Sequence, residues 1–255
     1  MISNSKAFEV LKGQTQSTLD FAVLCCQAVP ALKGYIKALE HGSVDKLPDA
    51  DYFKGEPNIE QLKGFSSKYK KNLGKLLFIN TFSYFESYFK DLISEIENFH
   101  GGKEAFRDAA LKKQKKHMNI HSDQQLILNS NKLREYKKQT HLLKYTKHIS
   151  ALEHTDFRFP SEMLSTFGLI ELFKNYSDLK ASEIPHVAEY AFGVEISSME
   201  LEVYSKYRDL RNKIAHGKIS DVEFKEAIEM NYFMRTLALK IDKQVVRNFF
   251  LIEFV

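Results

Sequence analysis

The densest run of chemically capable side chains in the sequence is Tyr207-Arg208-Asp209-Leu210-Arg211-Asn212-Lys213-Ile214-Ala215-His216-Gly217. Histidine titrates near neutral pH and can take or give a proton. Arginine keeps its charge and presents forked donors that match phosphate oxygens. Asn212 adds a neutral hydrogen bond. Arg211, Asn212 and His216 together therefore hold the parts for acid–base chemistry at a phosphate ester. Arg208 and Lys213 fit phosphate positioning or an ordinary surface better than catalysis. The same residues also have a plain structural account. Cations are favoured near a helix C-terminus, where they can cap free carbonyls, and Gly217 is a usual stop.

Helix geometry qualifies the chemistry. At about 100° per residue, Arg211 and His216 stand about 140° apart, too far for one tight face. Asn212 and His216, four residues apart, stack together. Either the turn loosens before Gly217 or a second copy of the segment contributes.

The elements that must position these residues read as helices. Residues 5–40 are helical, with Pro30 marking a kink or restart. A polar, turn-rich link follows, with Pro48, Gly55 and Pro57. From Ile59 to Phe99, the residues Phe78, Phe82, Phe85, Phe89, Leu92, Ile96 and Phe99 recur at steps of three and four, one apolar stripe of a core helix. Ser83, Glu86, Lys90 and Ser94 fall away from it; Glu86 either orients the motif arginine or is an ordinary structural glutamate. Gly101 and Gly102 close the helix. Helical pieces follow near 123–136 and 139–149, and another helix opens at Ser161 in SEMLSTFGLIELFK. The motif helix runs through MELEVYSKYRDLRNKIAH, with Val203, Tyr207, Leu210 and Ile214 inward. A final helix starts at Ser220, with Glu223 completing a capping box. Its stripe is Met230, Phe233, Met234, Leu237, Ile241 and Val245. The fold class expected is all-α, a helical bundle with a basic, partly helical insertion.

Composition agrees. There are 20 Phe, 12 Tyr and no Trp, but only 11 Gly and 5 Pro in 255 residues, so the breakers of a many-stranded fold are scarce. The net charge of +4 is uneven: residues 101–160 carry 13 Lys or Arg against 6 Asp or Glu. Lys112, Lys113, Lys115 and Lys116 stand at its head. A basic surface suits a phosphate-bearing partner; the alternative is a solvated insertion. His117, His121, His141, His148 and His154 lie there too, without the companions of a metal site, so no metal or other cofactor is expected. No phosphate-cradling glycine loop or Gly-x-Ser-x-Gly elbow occurs. The two cysteines, Cys25 and Cys26, are adjacent, which fits a reducing cytoplasm. No secretory leader and no charge-free run of eighteen apolar residues is found, so a membrane is not an expected partner.

Arg211, Asn212, His216 and Gly217, in the form RN…AHG, resemble the signature of HEPN domains. The order of elements agrees: an aromatic helix with FSYFESYFKDLI, then FGLIELF, the motif helix and a long last helix. It resembles bacterial HEPN subfamilies of the RiboL-PSP-HEPN type, associated with toxin and phage-defence operons. The resemblance covers residues 70–100 and 160–250, within a single HEPN-like domain spanning 1–255. Residues 1–57, an N-terminal helical extension, and the basic insertion at about 101–160 are not explained by it. It implies a metal-independent endoribonuclease using the RNA 2′-OH as nucleophile, with Arg211, His216 and Asn212 catalytic. It also implies a homodimer whose paired motif helices share one cleft, with RNA as partner and an antitoxin or regulatory protein as restraint. The alternative is a non-catalytic HEPN module that binds RNA, nucleotide or a partner protein. In that case the segment is a dimer-packing element.

Overall fold

A computed structural model describes residues 4–52, 58–102, 104–105, 179–218 and 221–250. Among them there are five α-helices and no strand: α1 (Lys6–Glu40), α2 (Ile59–Phe99), α3 (Ile184–Tyr190), α4 (Ser198–Ala215) and α5 (Phe224–Phe249), with a 3-10 turn at Ala181–Glu183 before α3. The all-helical expectation is met. Most of the basic insertion, with Lys112, Lys113, Lys115 and Lys116, and the helix expected at Ser161 lie outside the described residues.

The chain divides into two compact units. One is Met1–Leu11, Phe85–Arg208 and Arg235–Val255; the other is Lys12–Tyr84 and Asp209–Met234. In the first, the C-terminal half of the α2 stripe supplies the core. Phe85, Phe89, Leu92 and Ile96 are fully buried. Phe89 packs on Phe192, which meets Phe249 edge-on, and Phe85 packs on Tyr204. The Tyr88 hydroxyl is buried with its ring and donates to the Ala238 carbonyl at 3.0 Å. The start of α1 is anchored by acceptors. Ser5 caps the helix by accepting from the Phe8 amide. The Glu95 carboxylate takes the amides of Lys6 and Ala7, both at 2.9 Å. Asp242 takes the Ser5 amide and hydroxyl. These negative groups sit where the N-terminal end of a helix carries partial positive charge.

The second unit holds the motif. Here α2 and α5 approach through a buried pair, the Asn231 amide donating to the Thr81 hydroxyl at 2.8 Å. At Gly74 an added Cβ would stand 2.8 Å from the Val222 carbonyl, so only glycine permits that approach. Lys71 pairs with Asp221 at 3.0 Å. Farther along, Lys63 bridges Glu40, and the Lys33 ammonium lies over the Tyr69 ring, tying α1 to α2.

Several expectations are corrected. Of the two readings of Pro30, the restart is excluded, since α1 runs unbroken through it. The last helix begins at Phe224; Ser220, its expected start, lies outside the described residues, and 221–223 are not helical. Its first carbonyl acceptor is Glu223, which bonds the Ala227 amide. In the stretch before it Asp221 pairs with Lys71, and the Val222 carbonyl lies close to Gly74. On α4, Tyr204 is among the largest fully buried side chains, whereas Val203 and Leu210 are only half-buried. A capping box the sequence carries at Ser197–Glu200 opens this helix: Ser197 accepts the Glu200 amide and Glu200 accepts the Ser197 amide. Burial of Glu200 pushes its pKa up, but bonds from Ser197 and Lys240 outweigh it and hold the carboxyl below its usual range.

Among the described residues, one helix, α1, is long and apolar enough to cross a membrane by length and composition. Its longest charge-free run, residues 21–32, is shorter than the eighteen used above.

Candidate active site

The end of α4 can be followed bond by bond. The His216 amide still reaches back four residues to the Asn212 carbonyl at 3.0 Å. The Gly217 amide then bonds Ile214 at 3.0 Å, and the Lys218 amide bonds Lys213 at 2.8 Å. This is the pairing of a Schellman stop, with Gly217 at φ +67° as its left-handed residue. The helix therefore stays regular as far as the His216 amide. A loosened turn, one of the two ways of bringing Arg211 beside His216, is not present.

The same stop closes two other helices. α1 ends at His41-Gly42 and α2 at His100-Gly101, each with a positive-φ glycine and the same pair of backbone bonds. The His-Gly end of the motif is thus a general device of this chain. What distinguishes the third instance is the pair that precedes it.

Arg211 is half-buried. Its Nη1 donates to the Asn212 Oδ1 at 3.0 Å, and the guanidinium lies over the Phe82 ring, 5.3 Å from its centre. Phe82 itself is fully buried on α2. A rigid aromatic floor thus supports the cation from below, and the neighbouring amide fixes one edge of its fork. Asn212 is also half-buried, while His216, Lys213 and Lys218 are exposed. The structure brings Arg211 and Asn212 together. His216 joins them through the helical bond to the Asn212 carbonyl, on the same side as Asn212.

Arg208 is half-buried, one residue before the segment that falls in the second unit. Glu86 is half-buried on α2. The charge from Asp209 to Lys218 is positive, with Arg211, Lys213 and Lys218 against Asp209. Among the described residues no three His, Cys, Asp or Glu side chains cluster as metal ligands. Cys25 and Cys26 are half-buried and free; burial, then the neighbouring Cys26, pushes the Cys25 thiol up. That opposes thiolate formation.

Phe82 was not legible as part of the site. In sequence it is one more residue of the apolar stripe, and only the distance to Arg211 shows its second contact. The Ser197–Glu200 box was legible, as serine followed three residues later by glutamate ahead of an apolar run.

Among the described residues the elements are helical, and α4 ends in Arg-Asn…His-Gly. Residues 51–247 match the family model described as RiboL-PSP-HEPN, and the chain belongs to that family. No curated protein and no solved structure matches it. Membership of the HEPN family supports a ribonuclease or a nucleotide-binding module.

Proposed function

We propose that the protein is an endoribonuclease in which Arg211, Asn212 and His216 act on the ribose–phosphate linkage. The observation that carries this reading is the Arg211 guanidinium, laid on Phe82 and bonded to Asn212, more than a turn before His216. RNA supplies its own nucleophile, the 2′-OH beside the scissile phosphate. A base must take its proton, an acid must protonate the leaving 5′-oxygen, and positive charge must oppose the phosphorane. His216 serves as base or acid, Arg211 as the charge, and Asn212 holds Arg211 and contributes a neutral bond. These groups complete the reaction without calling on a metal. Because α4 stays helical to its end, a single chain keeps Arg211 and His216 on different sides. A second copy of the motif segment completes the site, so the active form is a homodimer. Lys213 and Arg208, with Lys112, Lys113, Lys115 and Lys116, would neutralise flanking phosphates. Such an activity fits a toxin or phage-defence effector held in check by an antitoxin or regulatory protein.

The test is cleavage of RNA in EDTA. The wild type should release fragments with 2′,3′-cyclic phosphate and 5′-OH ends. His216→Ala should cut about 10²–10⁴ times more slowly, the usual worth of a general acid or base. Because Gly217 carries the stop, the variant should keep its helical circular dichroism. Equal cutting by wild type and His216→Ala would remove the reading.

One observation favours a second reading, a module that binds RNA, nucleotide or protein without cutting. His-Gly closes α1 and α2 as well, so capping alone accounts for His216. RNA binding with a steep salt dependence, unaltered in His216→Ala and without product, would select that alternative.

A further inference from the structure

The inward face of α1 is occupied: Thr15, Ala22 and Ile36 are buried. A second line runs along another side of the helix. Ser17, Phe21, Leu24, Ala28, Ala31 and Tyr35 follow one another at alternating steps of four and three, and every one is exposed. Phe21 is 54% exposed, Leu24 61% and Tyr35 48%. Spacing that averages 3.5 residues is compatible with the seam of a helix pair. The question is what covers it.

The order of sizes along the seam answers. Two copies laid antiparallel about a two-fold axis at the level of position 26, on the seam side of the helix, set Phe21 against Ala31, Leu24 against Ala28, and Ser17 against Tyr35. Each large residue meets a small one, in a single register, twice by symmetry. A parallel pairing in register would stack Phe21 on Phe21 and leave Ala28 and Ala31 facing gaps. Charge points the same way. Between Lys12 and Lys33 the only charged residue is Asp20. A nucleic acid would need lysine and arginine on this face, and so would an anionic membrane surface. A neutral seam fits a neutral partner.

We infer that the outer seam of α1, from Ser17 to Tyr35, packs antiparallel on the same seam of a second copy of this chain. Nineteen residues of helix give a strip about 28 Å long. One helix pair of that length buries less than the ~1,200 Å² of a small standard interface. The association is therefore a concentration-dependent one. It uses no residue of the Arg211–His216 segment and stands whether or not the chain cuts RNA. Where the motif also pairs, the α1 contact joins two such dimers.

Light scattering on the full chain at about 100 µM tests it, at the upper end of affinities expected for a small contact. Phe21→Asp with Leu24→Asp should lower the particle mass by a factor of two while leaving the helical circular dichroism unchanged, since both side chains are exposed. His216→Ala should leave that mass unaltered. Register is read separately, in chains with Cys25→Ser and Cys26→Ser. An equimolar mixture of Leu24→Cys and Ala28→Cys chains should oxidise to a covalent dimer faster than either alone. A monomeric wild type, an unchanged mass in the double aspartate variant, or equal cross-linking of each single chain would overturn the inference. So would sedimentation of a monomeric wild type with phosphatidylcholine–phosphatidylglycerol vesicles that the aspartate variant loses, which would assign the seam to a membrane.

Discussion

Arg211 has the Phe82 ring beneath it and the Asn212 amide beside it, while His216 lies more than a turn farther along α4 and on another side. The first two are in place without substrate, which is the pre-organisation that the proposed reaction would ask of a cation facing a phosphorane. A lysine at position 211 would keep the charge but lose both the fork and the flat stacking on Phe82. Arg211→Lys should therefore lower kcat for RNA by about tenfold or more. Phe82→Leu, which removes the ring and keeps an apolar side chain, should lower it by about 2–30-fold, the worth of 0.5–2 kcal/mol of cation–π attraction. Both are read from initial cleavage rates at saturating RNA. An Arg211→Lys chain that cuts at the wild-type rate would show that only charge is needed. These roles were only partly legible in the sequence. Arg211, Asn212 and His216 stood out as candidates by type and spacing, because acid–base and phosphate chemistry use few residue types. Phe82 did not, because a buried aromatic that also carries a cation has the same periodicity as one that does not.

At the scale of the element, the same glycine-closed stop serves α1, α2 and α4, and one glycine sets how closely α2 meets the start of α5. Gly74 faces the Val222 carbonyl, and a methyl group there would arrive at 2.8 Å from a backbone oxygen that has no rotamer to change. Gly64, on the same helix, faces open space. Gly74→Ala is therefore expected to destabilise by about 1–3 kcal/mol, as overpacking does. Gly64→Ala should instead stabilise by about 0.5–1 kcal/mol, the helix preference for alanine over glycine. Thermal unfolding of the two variants gives the comparison. A Gly74→Ala chain as stable as wild type would mean the loop before α5 yields freely. The sequence showed α2 end to end, since seven apolar residues at regular spacing fix one face. It misplaced the start of α5, because Ser220 and Glu223 satisfy a capping pattern although 221–223 are not helical.

For the whole chain, the buried carboxyl of Asp242 gives stability a definite dependence on pH. Burial pushes its pKa up, and Glu95 and Glu9 add to that, while the Ser5 bonds pull it down; the outcome is a raised value. A carboxyl raised in the folded state binds more protons there than in the unfolded chain. Its contribution to stability therefore falls as pH rises from its ordinary value through its folded one, and is regained on acidification. Asp242→Asn removes that term. The stability of the wild type relative to Asp242→Asn should fall as pH is raised through that window, as urea unfolding in a pH series would show. A difference that is flat with pH would contradict the burial argument.

The sequence by itself determined that the chain is helical, where the longest helix faces lie, and which three side chains are the candidates for phosphate chemistry. Periodicity and residue type are local properties, so a linear reading captures them. Tertiary structure decided the rest. It put Phe82 under Arg211, set Asp242 on the cap of α1, turned one face of α1 inward and left the other bare. Those outcomes depend on which distant residues share a surface, and no spacing along the chain encodes that.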